Sequence, residues 1–347
     1  MDVLGMSMRW PIIGAPMAGG PSTPELAAAV TGAGGLGFLA AGYRTPEVLE
    51  QEIADVRRRT TGPFGVNLFV PQSPTVDRVA LDAYLTSLRS EAGAAGADAA
   101  AVWDDDGWAD KLDLLEQLSV PLVSFTFGCP PAPVIARLQA AGSKVAVTVT
   151  TPAEARQARA AGADAVAAQG IEAGGHQGSF TDDVPPDTAW GLLALVTAVR
   201  HAVDLPVLAA GGLMTGQDVA AVVRAGAVGA SLGTALLRAP ESGAYAIHKA
   251  ALADPAFTGT ALTRAFSGRR ARGLVNGFMR AHPDAPSGYP YINNATRALR
   301  RAAVDRHDPH GINLWAGQGF RLAEERPAAE VVARVGAEFE AVDDTGR

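Results

Sequence analysis

The sequence predicts an α/β protein, a (β/α)8 TIM barrel with a mostly helical insertion after its eighth strand. Three observations lead there. Apolar runs of four to eight residues alternate with longer stretches at helical spacing. The punctuation between them repeats: AAGSK (140–144), RAAGAD (159–164) and RAGAVG (224–229) each read as a helix end, a glycine suited to the left-handed C′ position, and a new strand. The runs are also continuously apolar, as in parallel strands covered on their other face. Eight such units in series favour a closed barrel. An open doubly wound sheet would carry a glycine-rich dinucleotide turn after strand one, and GAPMAGG (14–20) is not GxGxxG.

Taken in order, 11–17 is strand one, and Thr23 with Pro24 opens a helix that ends near Gly32. Residues 35–41 form strand two, Thr45 and Pro46 repeat the cap, and that helix runs to Arg59. Strand three is 64–70, followed by a helix at 76–89, an ambiguous Gly/Ala-rich stretch at 92–101 and a helix at 104–118. Strand four (121–128), a helix (132–141), strand five (144–150) and a helix capped by Thr151 and Pro152 come next. Strand six (163–168) leads to Gln169, and a helix is expected at 187–203. Strand seven (206–212), a helix (217–225) and strand eight (228–233) complete the series. After Leu237 the rhythm stops. Residues 239–310 are richer in arginine, proline and polar side chains and read as a helical lobe contributing to the mouth, leaving 1–238 plus 311–347 as the barrel. An amphipathic helix at 327–339 is placed to complete the outer ring.

Composition narrows the function. At 347 residues, 48% apolar and 19% charged, the chain can bury a large core. A net charge of −7, with no basic run beyond Arg57–Arg59 or Arg269–Arg270, disfavours nucleic acid as a partner. The single cysteine, Cys129, excludes an internal disulfide framework. The longest uncharged stretch, 26–43, holds five glycines and reads as core rather than a membrane span. The start lacks a basic segment followed by an apolar run, so a cytoplasmic protein is expected, as a monomer or homodimer.

Barrel chemistry sits at the carboxyl ends of the strands, with phosphates commonly held after strands seven and eight. There the chain has AAGGL (209–213), including Gly211 and Gly212, and SLGT (231–234), where Thr234 adds a hydroxyl at an expected helix start. Asn67 interrupts the apolar FGVNLFV, and Gln169 ends strand six. Each amide needs a partner, which is either the edge of a polar heterocycle or a neighbouring backbone carbonyl. Two phosphate loops and two amides together describe a flat cofactor with a phosphate tail, and FMN fits. The stretch QGIEAGGHQG (169–178) places His176 behind Gly174 and Gly175, where the backbone can approach a ligand and an imidazole can move a proton near neutral pH. Glu172 is either a partner of that histidine or a brace for the loop.

The ordered set GAPMAGG (14–20), VNLFV (66–70), FTFG (125–128), QGIEAGGHQG (169–178), AAGG (209–212), LGTALL (232–237), SGRRARGLVN (267–276) and LWAGQG (314–319) resembles the nitronate monooxygenases over nearly the whole chain. The resemblance implies an FMN-dependent barrel enzyme that oxidatively denitrifies alkyl nitronates such as propionate 3-nitronate with O₂. Carbonyl compound and nitrite would be the products, and neutral nitroalkanes would be further candidate substrates. It implies cofactor contacts at Asn67, Gln169, Gly174, Gly212, Ser231, Leu232, Gly233 and Thr234, with Ala15, Pro16 and Met17 against the ring. It makes His176 the active-site histidine, orienting the anionic nitronate or removing the α-proton of a neutral substrate. Arg269, Arg270 and Arg272 either reach the mouth or pair with surface carboxylates. Cys129, following FTFG, is a departure from the family pattern.

Three alternatives stay open from the residues alone. One is a flavin-dependent NAD(P)H enoyl-acyl-carrier-protein reductase with a similar Gly-Gly-His loop. The second is a non-redox phosphate-binding isomerase or lyase. The third is a flavin-binding protein without catalysis of its own.

Overall fold

The structure, a computed structural model, describes residues 2–73, 75–92, 101–182 and 188–344. Residues 93–100 of the Gly/Ala-rich stretch, and Asp187 at an expected helix start, lie outside the described residues.

Eight parallel strands form one sheet: Ile12–Gly14, Gly37–Ala40, Phe64–Phe69, Leu122–Thr126, Lys144–Val149, Ala165–Gln169, Val207–Ala210 and Gly229–Leu232. They follow chain order, and the eighth pairs with the first through Ala230–Ile12 and Ser231–Ile13. Strands one and two meet through the Ile13–Leu36 bridge, with Gly14 N–H donating to Leu36 O and Leu36 N–H to Ile12 O, each at 2.9 Å. The sheet thus closes into the expected barrel.

Side-chain alternation explains why the strands look uniformly apolar. Val123, Phe125, Val145, Val147, Val166, Val207, Ala230 and Leu232 face outward and are buried under the helices. Their neighbours Ser124, Thr126, Thr148, Ala167, Leu208 and Ser231 face a cavity inside the barrel. The interior is therefore lined by small and polar residues towards the carboxyl ends. The amino end is closed by a hairpin, Asp2–Val3 against Met6–Ser7, whose Val3 and Met6 pack with Leu36, Phe38, Leu122, Ala165 and Leu208. That plug was not foreseen.

The helices start where their caps predict. Thr23 Oγ1 accepts from Leu26 N–H at 3.0 Å, Thr45 Oγ1 from Val48 N–H at 3.4 Å, and Thr151 Oγ1 from Glu154 N–H at 3.2 Å. Gly142, Gly162 and Gly226 take the left-handed conformation at φ 95°, 93° and 105°. The last helix, Ala328–Asp344, packs on the helices Gly216–Arg224 and Pro24–Gly32, filling the ring between the eighth and first units. Gly216 permits this contact, because a Cβ there would lie 2.3 Å from Phe339 N.

The segment after strand eight holds helices Ala246–Ala253, Gly277–Ala281, Tyr291–Ala295 and Arg297–Asp305. It also holds two strands, Thr260–Thr263 and Ala271–Leu274, which the helical expectation did not include. They form an antiparallel sheet whose third strand is Gly175–His176, with Ala271 opposite His176 and Arg272 opposite Gly175. The lobe thereby grips the histidine loop through its backbone.

Candidate active site

A cavity of about 660 Å³ opens at the carboxyl ends of the strands. Its lining brings together Ala15, Pro16, Met17, Asn67, Gln169, Gly174, Gly175, His176, Gly211, Gly212, Ser231, Gly233 and Thr234, all foreseen from the sequence. Leu232 is the exception. It does not line the cavity: its side chain is fully buried between sheet and helices, and its carbonyl accepts from Ala15 N–H at 2.9 Å.

The two amides behave differently. Asn67 Nδ2 donates to Ser124 Oγ at 2.9 Å and Thr126 Oγ1 at 3.0 Å, which leaves Oδ1 as the acceptor without a protein partner among the described residues. Gln169 spends both ends on its own loop. Nε2 donates to His176 O at 3.0 Å and Oε1 accepts from Gly178 N–H at 2.7 Å, so this side chain braces the histidine loop. Glu172 does the same from the other side, accepting from Leu192 N–H at 3.0 Å. Gly174 is required by crowding, since a Cβ would lie 2.5 Å from Gly317 N, and Gly175, Gly211 and Gly212 by φ of 75°, 137° and 70°.

The loop after strand eight corrects one expectation. Thr234 opens only a 3₁₀ turn, Thr234–Leu236, too short for a helix macrodipole to matter. What it offers is local: the Gly233 and Thr234 N–H groups have no protein acceptor among the described residues, and Thr234 Oγ1 accepts from Gly317 N–H at 2.9 Å.

His176 stands among three rings, with Phe127, Tyr289 and Trp315 at centroid distances of 5.5, 5.9 and 5.6 Å. Nε2 lies 2.8 Å from Ser267 Oγ. Burial, then the nearby charges of Arg269 and Arg300, push its pKa from 6.5 down to about 3. The expectation of a group titrating near neutral pH is therefore corrected, and the imidazole is neutral there.

Neither reading of the three arginines holds, because all are buried. Arg269, 1% exposed, donates to the carbonyls of Gln177 and Ser179 and, at 2.7 Å, to Gln72 Oε1. Arg270 lies 3.5 Å from the buried Asp182 carboxylate, and Arg272 donates to Ile171 O at 2.9 Å. These residues hold the histidine loop and do not reach the mouth. Cys129 is not part of the cavity lining, and burial raises its thiol pKa to about 11.

Several lining residues escaped sequence reasoning. Tyr43 and Phe127 adopt φ of 66° and 76°, uncommon for bulky side chains. Tyr43 is held by its N–H donating to Asp106 Oδ1 at 2.9 Å, and Asp106 pairs at 2.8 Å with the buried Lys111. His248 also lines the cavity and bonds Trp315 O at 3.0 Å. On the lobe side stand Arg297, Arg300 and Arg301, with Arg44 opposite. Arg44 pairs with Glu52 at 3.0 Å and Arg301 with Asp305 at 3.1 Å. Arg300 has only Asn293 (O at 2.8 Å, Oδ1 at 3.1 Å) and, at 3.5 Å, Asn313 Oδ1, with no carboxylate among the described residues. Its Nε is buried without a partner.

Known proteins match the chain over nearly its whole length. The family model for nitronate monooxygenase matches residues 3–338. A nitronate monooxygenase from Pseudomonas aeruginosa is 44% identical over 339 residues, covering 94% of this chain and 95% of the relative. Among solved structures, a nitroalkane oxidase from Streptomyces ansochromogenes superposes with a TM-score of 0.95 at 51% identity, covering 98% of both chains. FabK from Thermotoga maritima shares the architecture at a TM-score of 0.76 and 29% identity, covering 98% of this chain and 96% of its own. The reductase and isomerase alternatives are not favoured beside these matches. The chain belongs to the nitronate monooxygenase family.

Proposed function

We propose that the protein is an FMN-dependent nitronate monooxygenase that converts alkyl nitronates, and the neutral nitroalkanes that give rise to them, into carbonyl compound and nitrite with O₂. The observation that carries this reading is the shared cavity. One imidazole, one free amide oxygen and two unpartnered glycine-loop N–H groups face the same space of about 660 Å³.

The residues present suit a flavin nucleotide. The N–H groups of Gly212, Gly233 and Thr234 supply donors for a phosphate, and Asn67 Oδ1 supplies an acceptor for a heterocycle N–H. Gly233 sits beside Ala15 and Met17 at the cavity, and a Cβ there would lie 3.5 Å from Ala15 Cβ and 3.8 Å from Met17 Sδ. When bound, FMN supplies the redox chemistry, taking electrons from the substrate and passing them to O₂.

The chain's own part is electrostatic and steric. Arg269 and Arg300 set a positive field over the cavity, which favours an anionic nitronate over its neutral parent. His176, neutral at physiological pH, can receive the α-proton of a nitroalkane as that anion forms. Phe127, Tyr289 and Trp315 surround the imidazole and fix the orientation of its ring.

The test is to mix FMN-loaded protein with propionate 3-nitronate with and without oxygen. Nitrite release matched to O₂ uptake, and flavin bleaching by nitronate but not by NAD(P)H in the absence of O₂, are the expected results. Bleaching by NAD(P)H alone would replace this reading with the reductase one.

A further inference from the structure

We propose that Ser267 fixes the tautomer of His176, placing the ring's hydrogen on Nε2 and leaving Nδ1 as a bare acceptor towards the cavity. Ser267 is then a positioning residue for the reaction proposed above, and the inference rests on that reading.

The argument is one of hydrogen count. A serine hydroxyl has one hydrogen and two lone pairs. Ser267 Oγ lies 3.0 Å from Arg269 O, a carbonyl that can only accept and that has no other donor among the described residues, so we assign the hydroxyl hydrogen there. The remaining neighbours of Oγ must be donors. One is Arg269 N–H at 3.3 Å, and the other is His176 Nε2 at 2.8 Å. Nε2 therefore carries a hydrogen. A neutral imidazole has only one, so Nδ1 has none.

Water does not compete for this arrangement. Ser267 is 1% exposed, so water does not reach Oγ. The turn bearing it is held by Gly268 at φ 76°, where a Cβ would lie 2.6 Å from the Gly288 backbone, and by Gly288 N–H donating to Gly268 O at 2.9 Å. Arg269, whose carbonyl takes the hydroxyl hydrogen, is anchored through its guanidinium to Gln72 and to the carbonyls of Gln177 and Ser179. Nδ1 has no protein partner among the described residues, and it is not a buried orphan either. The accessible space beside this ring is the cavity.

The chemical consequence separates two substrate forms. A bare Nδ1 can take the α-proton of a neutral nitroalkane. The C–H bond breaks, its electron pair moves into a C=N bond with charge on the nitro oxygens, and an N–H bond forms at Nδ1. Nε2–H keeps its bond to Ser267 throughout. Towards a preformed nitronate the same nitrogen offers a lone pair to an anion, so His176 must first take a proton from solvent before it can donate. Removing Ser267 frees the ring to carry its hydrogen on Nδ1 and should harm only the first task.

The experiment compares FMN-loaded wild type, Ser267→Ala and Ser267→Thr on nitroethane and on preformed ethyl nitronate, together with ¹⁵N NMR of histidine-labelled wild type. Expected are a protonated Nε2 and a bare Nδ1 in wild type, and a kcat/KM for nitroethane at least about 10-fold lower in Ser267→Ala. The nitronate value should change less than about 3-fold, and Ser267→Thr should recover most of the loss. An Nδ1–H tautomer in wild type, or equal losses on both substrates, would overturn the proposal. So would wild-type turnover of ethyl nitronate with none of nitroethane. Should wild type turn over neither substrate, the monooxygenase reading fails, while the NMR result still decides the tautomer.

Discussion

The guanidinium of Arg269 lies 4.2 Å above the ring of Phe127, whose edge meets His176 at 5.5 Å. A buried cation, a ring at positive φ and the imidazole lining the cavity are thus in sequential contact. The left-handed backbone at Phe127 costs on the order of 1–3 kcal/mol, and the cation–π contact and the Phe69 ring at 4.4 Å help to offset it. Arg269→Met would strand the Gln177 and Ser179 carbonyls and lose the cation–π contact. We expect a loss of about 3 kcal/mol or more in urea denaturation, with the His176 pKa rising because a positive neighbour has gone. Arg269→Lys keeps the charge but not the fork, so it should recover the pKa and little of the stability. Full stability in Arg269→Met would show the guanidinium to be incidental.

Gly174 and Gly175 are adjacent yet predict different outcomes. A Cβ at Gly174 would lie 2.5 Å from Gly317 N and 2.6 Å from Ala316 C, and backbone cannot yield as a side chain would. Gly174→Ala should push the histidine loop away from the LWAGQG segment and abolish FMN retention. At Gly175 a Cβ meets nothing within 4 Å, and only φ of 75° opposes it. Gly175→Ala should cost about 1–2 kcal/mol and keep the flavin. Absorbance of the purified variants and their thermal midpoints separate the two cases, and equal flavin content in both would refute the crowding argument.

The contrast between what was legible and what was not follows sequence distance. Thr23, Thr45 and Thr151 cap helices through bonds spanning three residues, so their signal is local. Asn67 stood out because an amide in an apolar strand demands an explanation. Tyr43 gave no such sign, since its left-handed backbone depends on Asp106, 63 residues away. Ser267 reaches His176 across 91 residues, and within SGRRARG the arginines drew attention to charge when their work is hydrogen bonding in the interior. The strands Thr260–Thr263 and Ala271–Leu274 were invisible because four residues, partly polar, establish no period.

Two depressed histidines make stability fall on mild acidification. Burial holds His176 at about 3 and His248 at about 4, whereas in the unfolded chain both return to about 6.5. Between those values the unfolded state binds protons that the native state refuses, so stability rises with pH and is fully present above about 6.5. Each group contributes a slope of up to about 1.4 kcal/mol per pH unit as pH falls towards 4. Carboxylates also titrate there, so the informative comparison is the slope in wild type against His248→Asn, which should be shallower. Identical slopes would mean that His248 is protonated in the native protein. By the same logic, kcat/KM for a neutral nitroalkane should show no loss near pH 6.5, because the His176 base form persists far below it.

Arg300 carries the last prediction, because a half-buried cation lining the cavity, with no carboxylate partner among the described residues, is costly unless something anionic visits it. The groups acting on its charge are Tyr43, Arg297, Tyr245 and Tyr289, none of them a carboxylate, and its own field reaches His176. A short substrate with its nitronate at the imidazole and a second anionic group at its other end would meet both. Arg300→Met should therefore raise KM for propionate 3-nitronate by about 10- to 100-fold, the worth of a charge-assisted hydrogen bond. Propyl nitronate, of the same length but without the carboxylate, should be affected several-fold less, since it loses only the long-range field and no direct contact. If KM rises equally for both substrates, Arg300 serves only as a general attractor of anions. If it rises for neither, the guanidinium is held for its bonds to Asn293 and has no part in choosing the substrate.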